Sequence, residues 1–261
     1  MKQVVFPFLY GCATITSRKG VLLMKIEVWS DFVCPFCYIG KRRLEKALDH
    51  FEQSNEVTIE YKSYQLDPNA KHIPGKNFYD TFSELKGMPL DQVKNMNQQV
   101  KEQASEIGLD YNFDDMKYSN TFDAHRVAKL ATKQNKGKEI TERFLHAYFT
   151  ESELLSDHQT LIRLAEEVGL TPSEVEEVLN TEKFTNRVNE DIDIARQIGV
   201  QGVPFFVFNE KYAVSGAQPE EVFHEVLTKV WEEEKQNPVL KTIHTGNSKT
   251  SFCTDEDCGG E

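Results

Sequence analysis

The stretch that most constrains this chain is Cys34-Pro35-Phe36-Cys37. A short apolar segment, residues 26–33, runs into it, and an amphipathic segment, residues 39–51, runs out of it. Strand, paired cysteines and helix in that order place Cys34 at a helix start. Unpaired backbone N–H groups and the helix dipole favour a negative charge there. That environment stabilises a thiolate, the species that attacks disulfides. Pro35 suits the first helical turn, because its missing N–H has no partner at that position. Cys37 lies one turn in, within reach of a disulfide to Cys34. The helix face through Cys37, Gly40, Leu44, Ala47, Leu48 and Phe51 is mostly apolar, so Cys37 is expected to point inward and Cys34 to stay accessible.

Two cysteines two residues apart also suit half of a zinc site, or two unrelated thiols. A zinc site needs a second Cys/His pair nearby, and the next cysteine is Cys253. No metal and no cofactor are therefore expected. With 261 residues, 39% hydrophobic and 28% charged, the chain can bury a substantial core. A net charge of −12 argues against nucleic acid and anionic membranes as partners. No segment approaches transmembrane length, and five cysteines do not make a disulfide-stapled secreted scaffold. Residues 1–23 read as an N-terminal extension outside the fold, with Met24 as the natural start and Cys12 incidental. The apolar run near Leu9-Tyr10-Gly11-Cys12 is a poor match to a signal or lipoprotein sequence. The expected location is the cytoplasm.

The fold class expected is α/β. A first strand is read at residues 25–30 and a second at 57–65, joined through the helix after the cysteines as a βαβ unit. Residues 69–181 carry helical patterns only, at 76–86, 90–107, 123–134, 138–149 and 158–168. Gly137 is read as a breaker, and Thr171-Pro172-Ser173-Glu174 as a helix start. A helix at 184–198, strands at 205–208 and 212–215 around an Asn209-Glu210 turn, and a helix at 219–234 complete the pattern. The resulting division is core residues 24–68, an inserted helical domain at 69–181, core residues 182–236, and a tail at 237–261 bearing Cys253 and Cys258.

Val203-Pro204 opens the third strand after a glycine-rich turn, a setting that suits a cis peptide. Beside a dithiol, such a proline removes a competing N–H. It leaves the Val203 backbone free to pair with an extended substrate. The bland alternative is a trans proline starting a strand.

Taken together, five segments resemble a known family. They are Ser30-Asp31-Phe32-Val33-Cys34-Pro35-Phe36-Cys37-Tyr38-Ile39-Gly40, Asn120-Thr121-Phe122-Asp123-Ala124-His125-Arg126, Ala147-Tyr148-Phe149, Gly202-Val203-Pro204-Phe205-Phe206-Val207 and Tyr212-Ala213-Val214-Ser215-Gly216-Ala217-Gln218. In order, across residues 25–235, they resemble DsbA-type thioredoxin-fold proteins, most closely the FrnE-like branch. The resemblance implies a thioredoxin core with a large all-helical insertion, a redox-active Cys34/Cys37 pair and a cis Pro204. It implies a protein dithiol–disulfide oxidoreductase. Its partners would be protein or small-molecule thiols and disulfides and a cellular dithiol reductant or oxidant, and the chain a monomer or homodimer. Strongly oxidising members carry histidine where Phe36 stands. Phe36 brings no charge to the thiolate, so reductase or isomerase activity is expected over oxidase.

Pro35, Phe36, Val203, Pro204 and His125 are the expected substrate-binding residues. For His125 and its neighbour Arg126, the alternative is an interdomain polar contact. Glu27 is considered as a proton acceptor for Cys37, one residue out of the desired register, against the alternative of an exposed strand-edge carboxylate. Asp31 reads as a strand terminator. Cys253 and Cys258 in the tail are a possible secondary redox pair, because loop closure costs grow slowly with length; a partial metal site with His244 or inert thiols are the alternatives. Two other function classes remain open. One is a glutathione-dependent enzyme of the kappa-class transferase or 2-hydroxychromene-2-carboxylate isomerase type, where serine typically replaces Cys34. The other is a non-enzymatic, chaperone-like binder.

Overall fold

The structure is a computed structural model that describes residues 23–236. Residues 1–22 and 237–261, with Cys12, Cys253 and Cys258, lie outside the described residues. The elements run β1 (Met24–Ser30), α1 (Pro35–Asp49), β2 (Val57–Ser63), α2 (Phe78–Lys86), α3 (Leu90–Ser105), α4 (Phe122–Lys133), α5 (Gly137–Phe149), α6 (His158–Glu167), α7 (Pro172–Asn180), α8 (Thr185–Gln197), β3 (Phe205–Phe208), β4 (Tyr212–Ser215) and α9 (Glu220–Gln236).

The four strands form one mixed sheet in the order β2-β1-β3-β4. β1 and β2 are parallel, while β1 pairs antiparallel with β3, and β3 with β4. The period-two alternation of β1 splits its side chains between two cores. Met24, Ile26 and Val28 join Leu44 and Ala47 of α1, Phe206 and Phe208 of β3, and Phe223 and Leu227 of α9. Trp29 goes to the other face, against Val207 of β3 and Ala195 of α8. The α/β expectation is therefore met, with helices covering both faces of the sheet. The β3–β4 turn is made by Asn209 and Glu210, both at positive φ (45° and 55°), the geometry a tight hairpin requires.

Between β2 and α8 the described chain is helical and builds its own core from residues such as Val127, Leu130, Phe144, Phe149, Leu161 and Val175. Phe32, Tyr38 and Ile39 belong to this core as well, so α1 is clasped between the sheet and the helical region. Gly137 does not break the pattern as expected; it is the first residue of α5. The break is made by Asn135 at φ 58°. Gly137 is small for a different reason, since a Cβ there would stand 2.9 Å from Thr132 Oγ1. At the exit of the helical region, the buried Arg126 guanidinium donates to the carbonyls of Val178, Thr181 and Lys183 and to the Asp123 carboxylate. These bonds close the C-terminal end of α7 and fix its link to α8.

Candidate active site

β1 ends at Ser30, and a two-residue turn carries the chain to Cys34, the N-cap of α1. The Cys34 N–H donates to Asp31 O (3.1 Å) and the Cys37 N–H to Cys34 O (3.0 Å). Pro35 occupies the first helical position, and no side chain caps the helix. The Cys34 sulfur thus stands at the free N–H groups of the helix start. Its thiol faces the Val203 carbonyl at 3.4 Å. The Val203–Pro204 peptide is cis. Segments 169 positions apart in sequence are joined here in one site.

The Pro204 loop reaches the cysteines because α1 has a glycine where the two meet. A Cβ on Gly40 would lie 2.9 Å from Pro204 Cγ and 3.1 Å from Phe206 Cζ. The Gly216 N–H donates to Pro204 O (2.8 Å), and Arg43 of α1 donates to Ala217 O (2.6 Å). Phe36 projects from the helix start and is 40% exposed, so it forms an apolar rim beside the thiols.

Cys34 is less accessible than the sequence reading expects. It is 4% exposed and Cys37 3%, because the Val203–Pro204 loop lies against Cys34. Environment rather than exposure marks the inner thiol. Burial pushes the Cys37 thiol well up, and the neighbouring Cys34 sulfur adds to the rise. Hydrogen bonds from the Ser30 side chain and the Asp31 backbone work in the opposite direction.

Glu27 is on the sheet face away from α1 and pairs with Lys25 (3.0 Å) and Lys62 (3.3 Å). Nor is it at a strand edge, since β1 is flanked by β2 and β3. Its alternation with Ile26 and Val28 turns it from Cys37. His125 is 3% exposed and stacks against Phe32, with ring centroids 4.7 Å apart. Its Nε2 faces Tyr64 O at 2.9 Å. Its neighbour Arg126 makes the carbonyl contacts described above. Among the described residues, no group of three or more His, Cys, Asp and Glu side chains is placed to hold a metal.

Two contributors went unread in the sequence. Tyr111, from the segment before α4, is fully buried and donates from its hydroxyl to Pro35 O at 2.8 Å. Burial first, and the adjacent thiol charge second, push this hydroxyl up, so it stays a donor. Glu142 of α5 accepts hydrogen bonds from Tyr38 (2.6 Å), Lys41 and Arg42 of α1. Lys41 is only 4% exposed. A buried ammonium needs such a partner.

Burial opposes charge on Glu142, yet the bonds from Lys41, Tyr38 and Arg42 prevail and hold its carboxyl down at about 2. The folded value lies below the ordinary 4.5, so this stabilisation is complete above about pH 4.5 and lost as pH falls toward 2. Glu142→Gln is expected to cost about 1–2 kcal/mol at pH 7, discounted for partial exposure, and to flatten this part of the acid loss. Urea unfolding of both proteins at pH 7 and pH 3 measures it; parallel losses would refute the assignment.

Comparison with known proteins matches the family described as DSBA-like thioredoxin domain over residues 25–228. The chain belongs to this family. A probable DsbA oxidoreductase from Streptomyces coelicolor is 35% identical to this DSBA-like chain, with a TM-score of 0.77, covering 85% of this chain and 94% of that one. The uncharacterized protein YwbO of Bacillus subtilis is 26% identical over 215 residues, 79% of this chain and 97% of that protein. A 2-hydroxychromene-2-carboxylate isomerase structure is 16% identical with a TM-score of 0.60, covering 81% of this chain and 98% of that one, a likeness of fold alone. Among the described residues no helix is long and apolar enough to cross a membrane.

Proposed function

We propose that this DSBA-like chain is a thiol–disulfide oxidoreductase of the FrnE-like branch, acting on protein disulfides in the cytoplasm as a reductase or isomerase. The observation that carries the reading is the pairing of an N-cap cysteine, Cys34, against the Val203 carbonyl, with a second, buried cysteine one turn behind it. That arrangement has an attacking sulfur, a resolving sulfur and a backbone edge for the substrate.

In reduction, the Cys34 thiolate attacks a substrate disulfide; one substrate sulfur leaves as a thiolate and a mixed disulfide forms. Cys37 then loses its proton and attacks the Cys34 sulfur. The Cys34–Cys37 bond forms, the substrate bond breaks, and the second substrate thiolate leaves and is protonated. Two electrons pass from the dithiol to the substrate, and a cellular dithiol restores them. Isomerisation uses the first step without net electron transfer. The apolar Phe36 beside the thiols supports this direction, and low cysteine use suits a reducing compartment.

Insulin reduction and reactivation of a scrambled disulfide substrate test the proposal; neither activity would overturn it. The reduction potential of the Cys34–Cys37 couple is expected between roughly −180 and −270 mV, the span from isomerases to thioredoxins. Glutathione-dependent isomerisation that survives Cys37→Ser would instead place the chain with the glutathione-using enzymes.

A further inference from the structure

Asp31 is fully buried and three residues before Cys34. One carboxylate oxygen, Oδ2, accepts the Leu66 N–H at 2.7 Å. The other, Oδ1, is buried with no hydrogen-bond partner among the described residues. The cation-forming group beside it is His125 Nε2, at 3.5 Å. That nitrogen also faces Tyr64 O at 2.9 Å, and so carries the proton toward it. The Tyr64 N–H in turn donates to Ser30 O at 3.1 Å. The imidazole ring packs on Phe32. Four consecutive positions, from Ser30 to Val33, therefore lead into the cysteine pair with two of their side chains and one carbonyl held from behind. The hold comes from α4 and from the segment after β2.

A buried carboxylate with an unsatisfied oxygen costs stability unless something repays it. The residue that bears it also meets the cysteines through its main chain: Asp31 O accepts the Cys34 N–H, and the Asp31 backbone and the Ser30 side chain hydrogen-bond the Cys37 sulfur. Resting on the oxidoreductase reading above, we propose that Asp31 and His125 are positioning residues for the resolving cysteine. They fix the Ser30–Asp31 backbone so that Cys37 can ionise and attack the mixed disulfide.

Other ionisable groups surround the pair. Tyr148 of α5 and Tyr118, before α4, face Asp31 closely enough for its charge to bear on their hydroxyls. Lys62 of β2 and Lys129 of α4 line the small cavity beside His125. Cys34 and Tyr111 face Cys37 itself. None of these groups is altered by the substitutions below.

The test uses the full-length reduced chain with Cys12, Cys253 and Cys258 changed to serine, so that only the CPFC thiols report. On mixing with 5,5′-dithiobis(2-nitrobenzoate), the first thionitrobenzoate marks capture by Cys34. The second marks resolution by Cys37, with the Cys34–Cys37 bond formed as the aryl thiolate leaves. In Asp31→Asn and His125→Ala, resolution at pH 7 is expected to slow about tenfold and its pH midpoint to rise by about one unit, following the loss of Cys37 thiolate. Capture should change by less than about threefold, since resolution alone depends on Cys37 ionising. His125→Gln, which keeps a donor for Tyr64 O, should return resolution to within about threefold of the parent. If Asp31→Asn does not fold, the two His125 variants decide. An unchanged resolution midpoint with a lowered Tm, or capture and resolution falling together, would overturn the proposal. A parent protein that never gives the second release would overturn the oxidoreductase reading itself.

Discussion

Cys34→Ser is expected to lower insulin reduction by at least about 1,000-fold, because a hydroxyl replaces the attacking thiolate of the proposed mechanism. Cys37→Ser is expected to fail differently. Capture still occurs at Cys34, but nothing at the buried position can displace the substrate, so a mixed disulfide accumulates. Non-reducing gels and mass mapping should find the substrate on Cys34 in Cys37→Ser and on no active-site residue in Cys34→Ser. Equal adduct yields in the two variants would show that the roles are assigned wrongly. Their difference follows from the site: Cys34 sits at the helix start facing Val203, while Cys37 is pushed up by burial one turn behind.

Gly40→Ala is expected to impair turnover strongly with every reacting group still present. The added methyl would stand 2.9 Å from Pro204 Cγ, a rigid ring atom, and 3.1 Å from Phe206 Cζ, a packed aromatic. Either α1 or the Pro204 loop must move. Overpacking of this kind costs about 1–3 kcal/mol. Misplacing the backbone beside Cys34 should lower kcat/KM for insulin reduction by about 10- to 100-fold. Gly202→Ala is the control for stability, since no atom lies within 4 Å of its added Cβ. A Gly40→Ala protein with parental Tm and turnover would show that the Pro204 loop does not depend on this contact.

Much of the frame was legible because it is written in short-range periodicity. Alternating Ile26 and Val28, Pro35 after Cys34, and the Asn209-Glu210 turn all announce local geometry. The CPFC segment, the Val203-Pro204 segment and three further stretches could be matched to a family by their residues and order. Other parts of the site carry no local signal. Tyr111 meets Pro35 across 76 positions of sequence, and Glu142 meets α1 across about a hundred. In the sequence, Glu142 looks like a charge on a solvated helix face, and Lys41 like its counterpart on another. Only packing α5 against α1 makes them partners and buries the lysine. Asp31 was read as the end of a strand, which it is, but periodicity cannot say that its carboxylate is sealed from water. Glu27 shows the converse limit. One residue of register decides which sheet face a side chain takes, and here it takes the face away from Cys37.

The bonds from Tyr111 to Pro35 and from Glu142 to Lys41 have a consequence for dissecting this molecule. A minimal sheet-and-α1 fragment, cut to remove the intervening helices, would not be a smaller copy of the same site. It would open the apolar flank of Tyr38 and Ile39 to water and strip Lys41 of its α5 carboxylate. The dithiol's own helix would have lost one of its walls. In this architecture the helices between β2 and α8 are part of the housing of α1, so truncation there and mutation at the dithiol are expected to converge on the same defect.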